Sequence, residues 1–366
     1  MEEKYFNPFP GLRPFEEDEE HLFFGRETQI DQLSSKLSKN HFLAVIGASG
    51  SGKSSLVKSG LIPVLHSGLC SGVGHGWRIG VFRPGDNPIK NLTECFFADE
   101  LLGDNPKDEQ KSLSAIIEAT LRRSDFGLKN VHEQLLNHFE ENILLVVDQF
   151  EELFRFSNAE KQSKSVKREA DAFINLLLQA CSDSSKKLYI AITMRSDFLG
   201  DCTAFRGLPE AINQGQYLIP RMNREEIKLA ITGPVAVAGV KISSRLVTKL
   251  LNDVGDSPDH LPILQHALMR TFNQWKSSSV NGTSIDLIHY ESIGTINSAL
   301  SQHAEEAFSI LKDDQTLICE GLFKALTEKG ESLRGIRRPT RLSSICSIID
   351  QPLGKVIPII EVFRNP

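Results

Sequence analysis

Residues 47–54 read GASGSGKS: one glycine, four further residues, then Gly52, Lys53 and Ser54. No other feature constrains the fold as tightly. The apolar run 42–46 ahead of it predicts a short buried strand. Leu56, Val57, Leu61 and Ile62 behind it keep helical spacing until Pro63 disturbs them. A strand, a loop of small residues and a helix in that order let backbone N–H groups curl around phosphate oxygens, where the helix dipole favours negative charge. The candidate nucleotide contacts are Gly47, Ala48, Ser49, Gly50, Ser51, Gly52, Lys53, Ser54 and Ser55. Lys53 would reach the β- and γ-phosphates, and the Ser54 hydroxyl would ligate Mg²⁺. With average residue frequencies the four fixed positions coincide in about one chain in a hundred of this length. The flanking strand and helix make coincidence rarer still.

A second stretch, NILLVVDQFEELF at 142–154, answers the first. Its continuous apolar run reads as a parallel strand buried on both faces and ending in Asp148. An acid there, beside the phosphates, holds Mg²⁺ in P-loop proteins; a plain turn acid is the alternative. Glu151 and Glu152 follow where the chain leaves the strand, so one of them can orient or deprotonate an attacking water. They also fit a solvated first helical turn. ATP or ADP with Mg²⁺ is the expected cofactor, and Lys53, Glu151 and Glu152 are catalytic candidates.

Strands are expected at 42–46, 77–83, 142–147, 187–193 and 216–219, alternating with helices. That pattern predicts an α/β domain, a parallel sheet with helices on both faces, over 23–220. Residues 1–22 form an arm in which Phe6, Phe9 and Phe15 alternate with prolines, and it is expected to pack on its own domain. From Met222 the pattern turns helical, at 223–238, 243–254, 261–276 and 291–312, which defines a helical domain at 221–312. Asn223 with Glu225 and Glu226 reads as a helix start. The glycine-bearing stretch 68–77 and the polar 276–284 read as connections, and the Lys/Arg run near 161–168 as a solvated face.

A net charge of −6 argues against a dedicated nucleic-acid binder. The six cysteines lack any C-x-x-C spacing and read as reduced thiols. With no signal-peptide pattern and no apolar run of membrane-spanning length, a cytoplasmic protein is expected.

Several P-loop classes differ in detail. The N-K-x-D base-reading motif of GTPases is missing, and Gln149 stands where AAA+ motors usually carry a glutamate. The D-x-x-E-E pattern instead resembles the STAND signalling ATPases, which include the NACHT proteins. The stretches NPFPGLRPFEEDEEHLFFGRE (7–27), DQFEELF, TMRSDFLGD (193–201), ITGP (231–234), LPILQHALMRTF (261–272), HAEEAF (303–308) and GIRRPT (335–340) are similar to the Novel STAND NTPase 1 (nSTAND1) family, in order along nearly all 366 residues.

The resemblance implies further roles. Gly25, Arg26 and Glu27 match an element lying at the adenine end of the nucleotide. Arg195 matches a sensor near the γ-phosphate. Pro234 matches a proline of the helical domain that packs on adenine in a closed ADP state. From the residues alone, Arg195 fits equally a surface ion pair, Pro234 a helix breaker, and Arg26 an exposed loop position. The resemblance also implies a winged-helix domain, of which 313–366 is the expected incomplete start, without the histidine that touches ADP. It implies a slow ATPase switch that forms a homo-oligomer in the ATP state, with sensor and effector elements outside this sequence. A small-metabolite phosphotransferase and a winged-helix DNA-binding regulator, the latter suggested by basic 333–341, are the competing functions.

Overall fold

The computed structural model describes residues 5–68, 76–98, 101–102, 107–136, 141–157, 164–182, 187–255, 260–278, 284–328, 336–337, 340 and 342–364. Much of the 68–77 and 276–284 connections, Cys70, the start of the charged run and most of basic 333–341 lie outside them. The chain divides into two compact units, one of residues 1–240 with 254–262 and one of residues 241–253 with 263–366.

In the first unit five strands form one parallel sheet. They are β1 (Phe42–Gly47), β2 (Trp77–Phe82), β3 (Asn142–Val147), β4 (Leu188–Arg195) and β5 (Gln216–Leu218), in the order β2-β3-β4-β1-β5. Every residue of β1 and β3 is buried, as continuous apolar runs require when helices cover both faces. The two-residue period sorts their side chains. Phe42, Ala44, Ile46, Ile143, Leu145 and Val147 enter one core, whereas Leu43, Val45, Leu144 and Val146 enter the other.

Two helices close the second core. α1 (Glu27–Lys39) contributes Leu33 and Leu37, one turn apart. α2 follows the glycine loop and consists of α-helical Lys53–Ser55, π-helical Leu56–Leu61 and α-helical Ile62–His66. The arm lies along α2, with Phe9 and Phe15 buried and Phe6 exposed. Phe15 N–H donates to Ser55 Oγ at 3.1 Å, Ser59 Oγ donates to the Glu16 carbonyl at 2.6 Å, and Lys58 pairs with the Glu16 carboxylate at 2.8 Å. α3 (Arg224–Val237) is capped by Asn223, whose side-chain oxygen accepts from the N–H groups of Glu225 and Glu226, both at 2.9 Å.

The second unit is mainly helical. Where one helix is expected over 291–312, the chain turns at Gly294 (φ 76°) and separates Leu287–Ser292 from Thr295–Ser309. Beyond it, Asp313–Leu326, Leu342–Ile348 and Leu353–Arg364 pack around Ile318, Cys319, Leu322, Ile345, Val356 and Ile359. A two-residue antiparallel pairing joins Thr327–Glu328 to Ile336–Arg337. No described helix is long and apolar enough to cross a membrane.

His266 is buried in this unit and stacks on His303 at 5.0 Å between centroids, with Nε2 lacking a hydrogen-bond partner. Burial, then the neighbouring His303 and Arg270, lowers its pKa from 6.5 to about 4. The unfolded chain therefore takes up this proton first as pH falls. The contribution is present above pH 6.5 and is lost between about 6.5 and 4. The loss is about 3 kcal/mol at full protonation. Denaturant midpoints at pH 7 and pH 4.5 should fall less for His266→Phe than for the unmodified chain; an equal fall would show that His266 does not titrate in this way.

Candidate functional site

Register builds the site. Gly47 lies opposite Arg195, Val147 opposite Ile192, and Phe82 opposite Val147. The next residues, Arg83, Asp148 and Thr193, therefore emerge side by side at the carboxyl edge of the sheet, where ligands of open α/β sheets bind.

The 47–54 loop is a backbone cradle. Gly50 and Gly52 have φ of 71° and 84°. A Cβ on Gly52 would meet nothing within 4 Å, so its left-handed backbone, rather than crowding, calls for glycine there. Lys53 Nζ donates to the carbonyls of Gly47 (3.1 Å) and Ala48 (2.7 Å). Burial lowers the pKa of its amine, and the charge of Glu151 is the main opposing influence. Ser51 Oγ is buried without a hydrogen bond. Arg26 is 4% exposed and braces the loop from below, donating to the carbonyls of Ser51 (3.3 Å) and Pro220 (2.9 Å).

Asp148 is the junction. Its Oδ1 accepts from Ser54 Oγ and from Thr193 Oγ1, both at 2.7 Å. Its Oδ2 is buried and accepts no hydrogen bond, although Arg83 Nε lies 3.6 Å away. That separation allows charge attraction but is too long for a hydrogen bond. An orphaned carboxylate oxygen beside a serine hydroxyl is a hard-oxygen pair suited to magnesium, so the residues present fit that ion.

Glu151 is buried, and its Oε2 accepts from the Arg195 N–H at 3.3 Å. Glu152 turns toward β2 and accepts from the Gly85 N–H at 3.1 Å. Burial raises the pKa of Glu152, with Glu151 and Asp148 adding to the rise and Gly85 and Arg83 opposing it. The Arg195 guanidinium pairs with Asp197, lies over the Phe198 ring (5.8 Å to its centroid), and leaves Nε buried without a partner.

A second group of expected residues gathers where α1 begins. Gly25 has φ 83°, and a Cβ there would fall 2.4 Å from the Glu226 carbonyl oxygen. Glu27 Oε1 accepts from the Gly25 N–H at 2.9 Å, and Gln29 Nε2 donates to Glu226 Oε1 at 3.0 Å. Phe24 packs on Gly233, and Pro234 is buried in α3 immediately after it. Ala48 and Ser49 complete the loop. Ser55 is placed differently: its hydroxyl faces the arm through Phe15. Arg83, Thr193 and Gln149 were missed by sequence reasoning. For Arg83 the available signal was a polar residue one step past β2; Thr193 lies within β4, and only strand register places it beside Asp148.

The family profile of Novel STAND NTPase 1 matches residues 8–364. No curated protein matches the chain. Among solved structures, the Aeropyrum pernix ORC2 protein, in ADPNP and ADP complexes, is similar at 9% identity over 93% of both chains, with a TM-score of 0.50. The A. pernix ORC1 protein in complex with DNA gives 13% identity over 93% of this chain and 82% of that one, with a TM-score of 0.48. A Walker-type ATPase of Pyrococcus abyssi gives 14% identity over 97% and 99%, with a TM-score of 0.44. At such identities the likeness concerns the fold alone.

Proposed function

The chain belongs to the Novel STAND NTPase 1 family, and from that premise we propose that it is a STAND-type switch that binds ATP or ADP with Mg²⁺ and hydrolyses ATP slowly. The observation that carries this reading is Asp148. It joins the cradle through Ser54 and keeps one oxygen free for a cation. Bound Mg²⁺ would neutralise phosphate charge. Ser54 and Asp148 would hold it, and the 47–54 backbone and Lys53 would hold the β- and γ-phosphates.

Roles divide between the two glutamates by position. Glu151 contributes the largest attractive charge at Lys53 and sits on the nucleotide side, where it can take the proton of an attacking water. Glu152 faces Gly85 and β2, where it positions neighbours. Arg195 exchanges Asp197 for the γ-phosphate. Arg26 stiffens the cradle, while Gly25, Glu27 and Pro234 frame the adenine end. Glu151→Gln should slow single-turnover phosphate release about 100-fold with ADP affinity retained, and Glu152→Gln should slow it less. The reverse order would exchange the two roles.

ADP holds the closed form in this scheme, and ATP favours one that assembles with copies of itself. Sensor and effector elements would act on that equilibrium. Moving it from 1:99 to 99:1 requires about 5.5 kcal/mol of differential affinity. A γ-phosphate with its metal and two basic contacts in a desolvated cleft reaches that scale. The mass of the protein with Mg–ADP, compared with a slowly hydrolysed Mg–ATP analogue, tests the scheme. A larger species with the analogue is expected; equal masses would remove assembly as the output of this chain.

A further inference from the structure

We propose that Arg83 is a built-in competitor for the divalent cation at Asp148, so that loading the metal and expelling the guanidinium are one event. This rests on reading the site as a Mg–nucleotide cradle. Three observations support it. Asp148 Oδ1 is saturated by two hydroxyl donors, whereas buried Oδ2 accepts no hydrogen bond and has Arg83 Nε at 3.6 Å. A magnesium ion ligates at about 2.0–2.1 Å. A metal on that oxygen would sit close to the guanidinium, and the two positive charges would repel.

The guanidinium is also free to leave. The Arg83 side chain is 52% exposed, in contrast to 3% for Asp148. Its backbone, however, is fixed. Phe82 pairs with Val147, and Asn91 Nδ2 donates to the carbonyls of Arg83 (3.1 Å) and Pro84 (3.0 Å).

A second seat lies alongside. With the Gln149 amide oriented to satisfy both neighbours, its oxygen accepts from Arg83 Nη2 at 3.2 Å and its nitrogen donates to Glu152 Oε1 at 3.1 Å. Gln149 holds that position with a left-handed φ of 57° and an N–H donated to Thr193 Oγ1 at 3.0 Å. Leaving Asp148 therefore keeps Arg83 on the Gln149 and Glu152 side. The charge that balances Asp148 without metal stays at the site when metal arrives. Such an arrangement ties metal entry to a movement at the edge of β2.

The experiment titrates the full chain with Mn²⁺ at saturating ADP and reads free Mn²⁺ by electron paramagnetic resonance. Arg83→Ala should bind Mn²⁺ about threefold to fivefold more tightly, with metal-free ADP affinity within about twofold of the unmodified chain. Arg83→Lys keeps the charge and should stay near the unmodified value. Unchanged or weaker Mn²⁺ binding in Arg83→Ala overturns the competition, and so does a lysine variant that binds as tightly as the alanine variant. Ser54→Ala is the control for the site. If the unmodified chain takes up no Mn²⁺ with ADP, or Ser54→Ala leaves that uptake intact, the cradle reading fails and this proposal falls with it.

Discussion

Lys53→Ala is expected to weaken ADP binding by at least a hundredfold and to remove measurable ATP binding. The amine is the only side-chain cation donating to the loop's own carbonyls at Gly47 and Ala48 among the described residues. Its removal leaves those carbonyls without that donor and takes one positive charge from beside Glu151 and Asp148. It also removes charge-assisted hydrogen bonds to phosphate, each worth about 1.5–3 kcal/mol. Two such bonds correspond to roughly 3–6 kcal/mol, upwards of about a hundredfold in affinity. Titration calorimetry with ADP measures this, and a thermal melt checks that the variant folds. Undiminished ADP affinity in a folded Lys53→Ala protein would show that the nucleotide binds elsewhere.

Gly25→Ala should be the most destabilising single-methyl change near the site, at about 3 kcal/mol or more. Two effects combine. The left-handed φ of 83° costs an L-residue about 1 kcal/mol. The new methyl would also meet the Glu226 carbonyl oxygen at 2.4 Å, a backbone atom that cannot move without shifting α3. Gly239 separates the two, because its φ of 69° is similar but a Cβ there meets nothing within 4 Å. Gly239→Ala should therefore show the conformational part alone. Urea midpoints of the two variants give the contribution of crowding by difference. Equal losses would mean that the lead-in to α1 and the body of α3 are not in contact at this point.

The sheet was readable from the sequence because burial on both faces leaves an uninterrupted apolar run. β1 and β3 carry no polar residue between Phe42 and Ile46 or between Ile143 and Val147. The cradle was readable because its function lies in consecutive residues. Arg83 and Thr193 were not, since neither lies near Asp148 in the chain. Only the pairing of β2 and β4 against β3 brings them together, and no local spacing encodes that order. Arg26 is a similar case. Its sequence setting fits an exposed loop, yet carbonyls from two distant segments, at Ser51 and Pro220, keep it buried. Ser55 shows the converse, where proximity in sequence placed a residue in the cradle and the helix turned its hydroxyl toward the arm.

That arm alters how the molecule can be divided. A shortened protein beginning at Phe23 would look complete if judged by its sheet. It would nonetheless remove the buried Phe9, Phe15 and Leu22, rob the hydroxyls of Ser55 and Ser59 of their partners, and bare apolar surface one residue from Ser54. Such a fragment would clump during purification. Its failure to bind nucleotide would then reflect a missing buttress rather than a fault in the cradle.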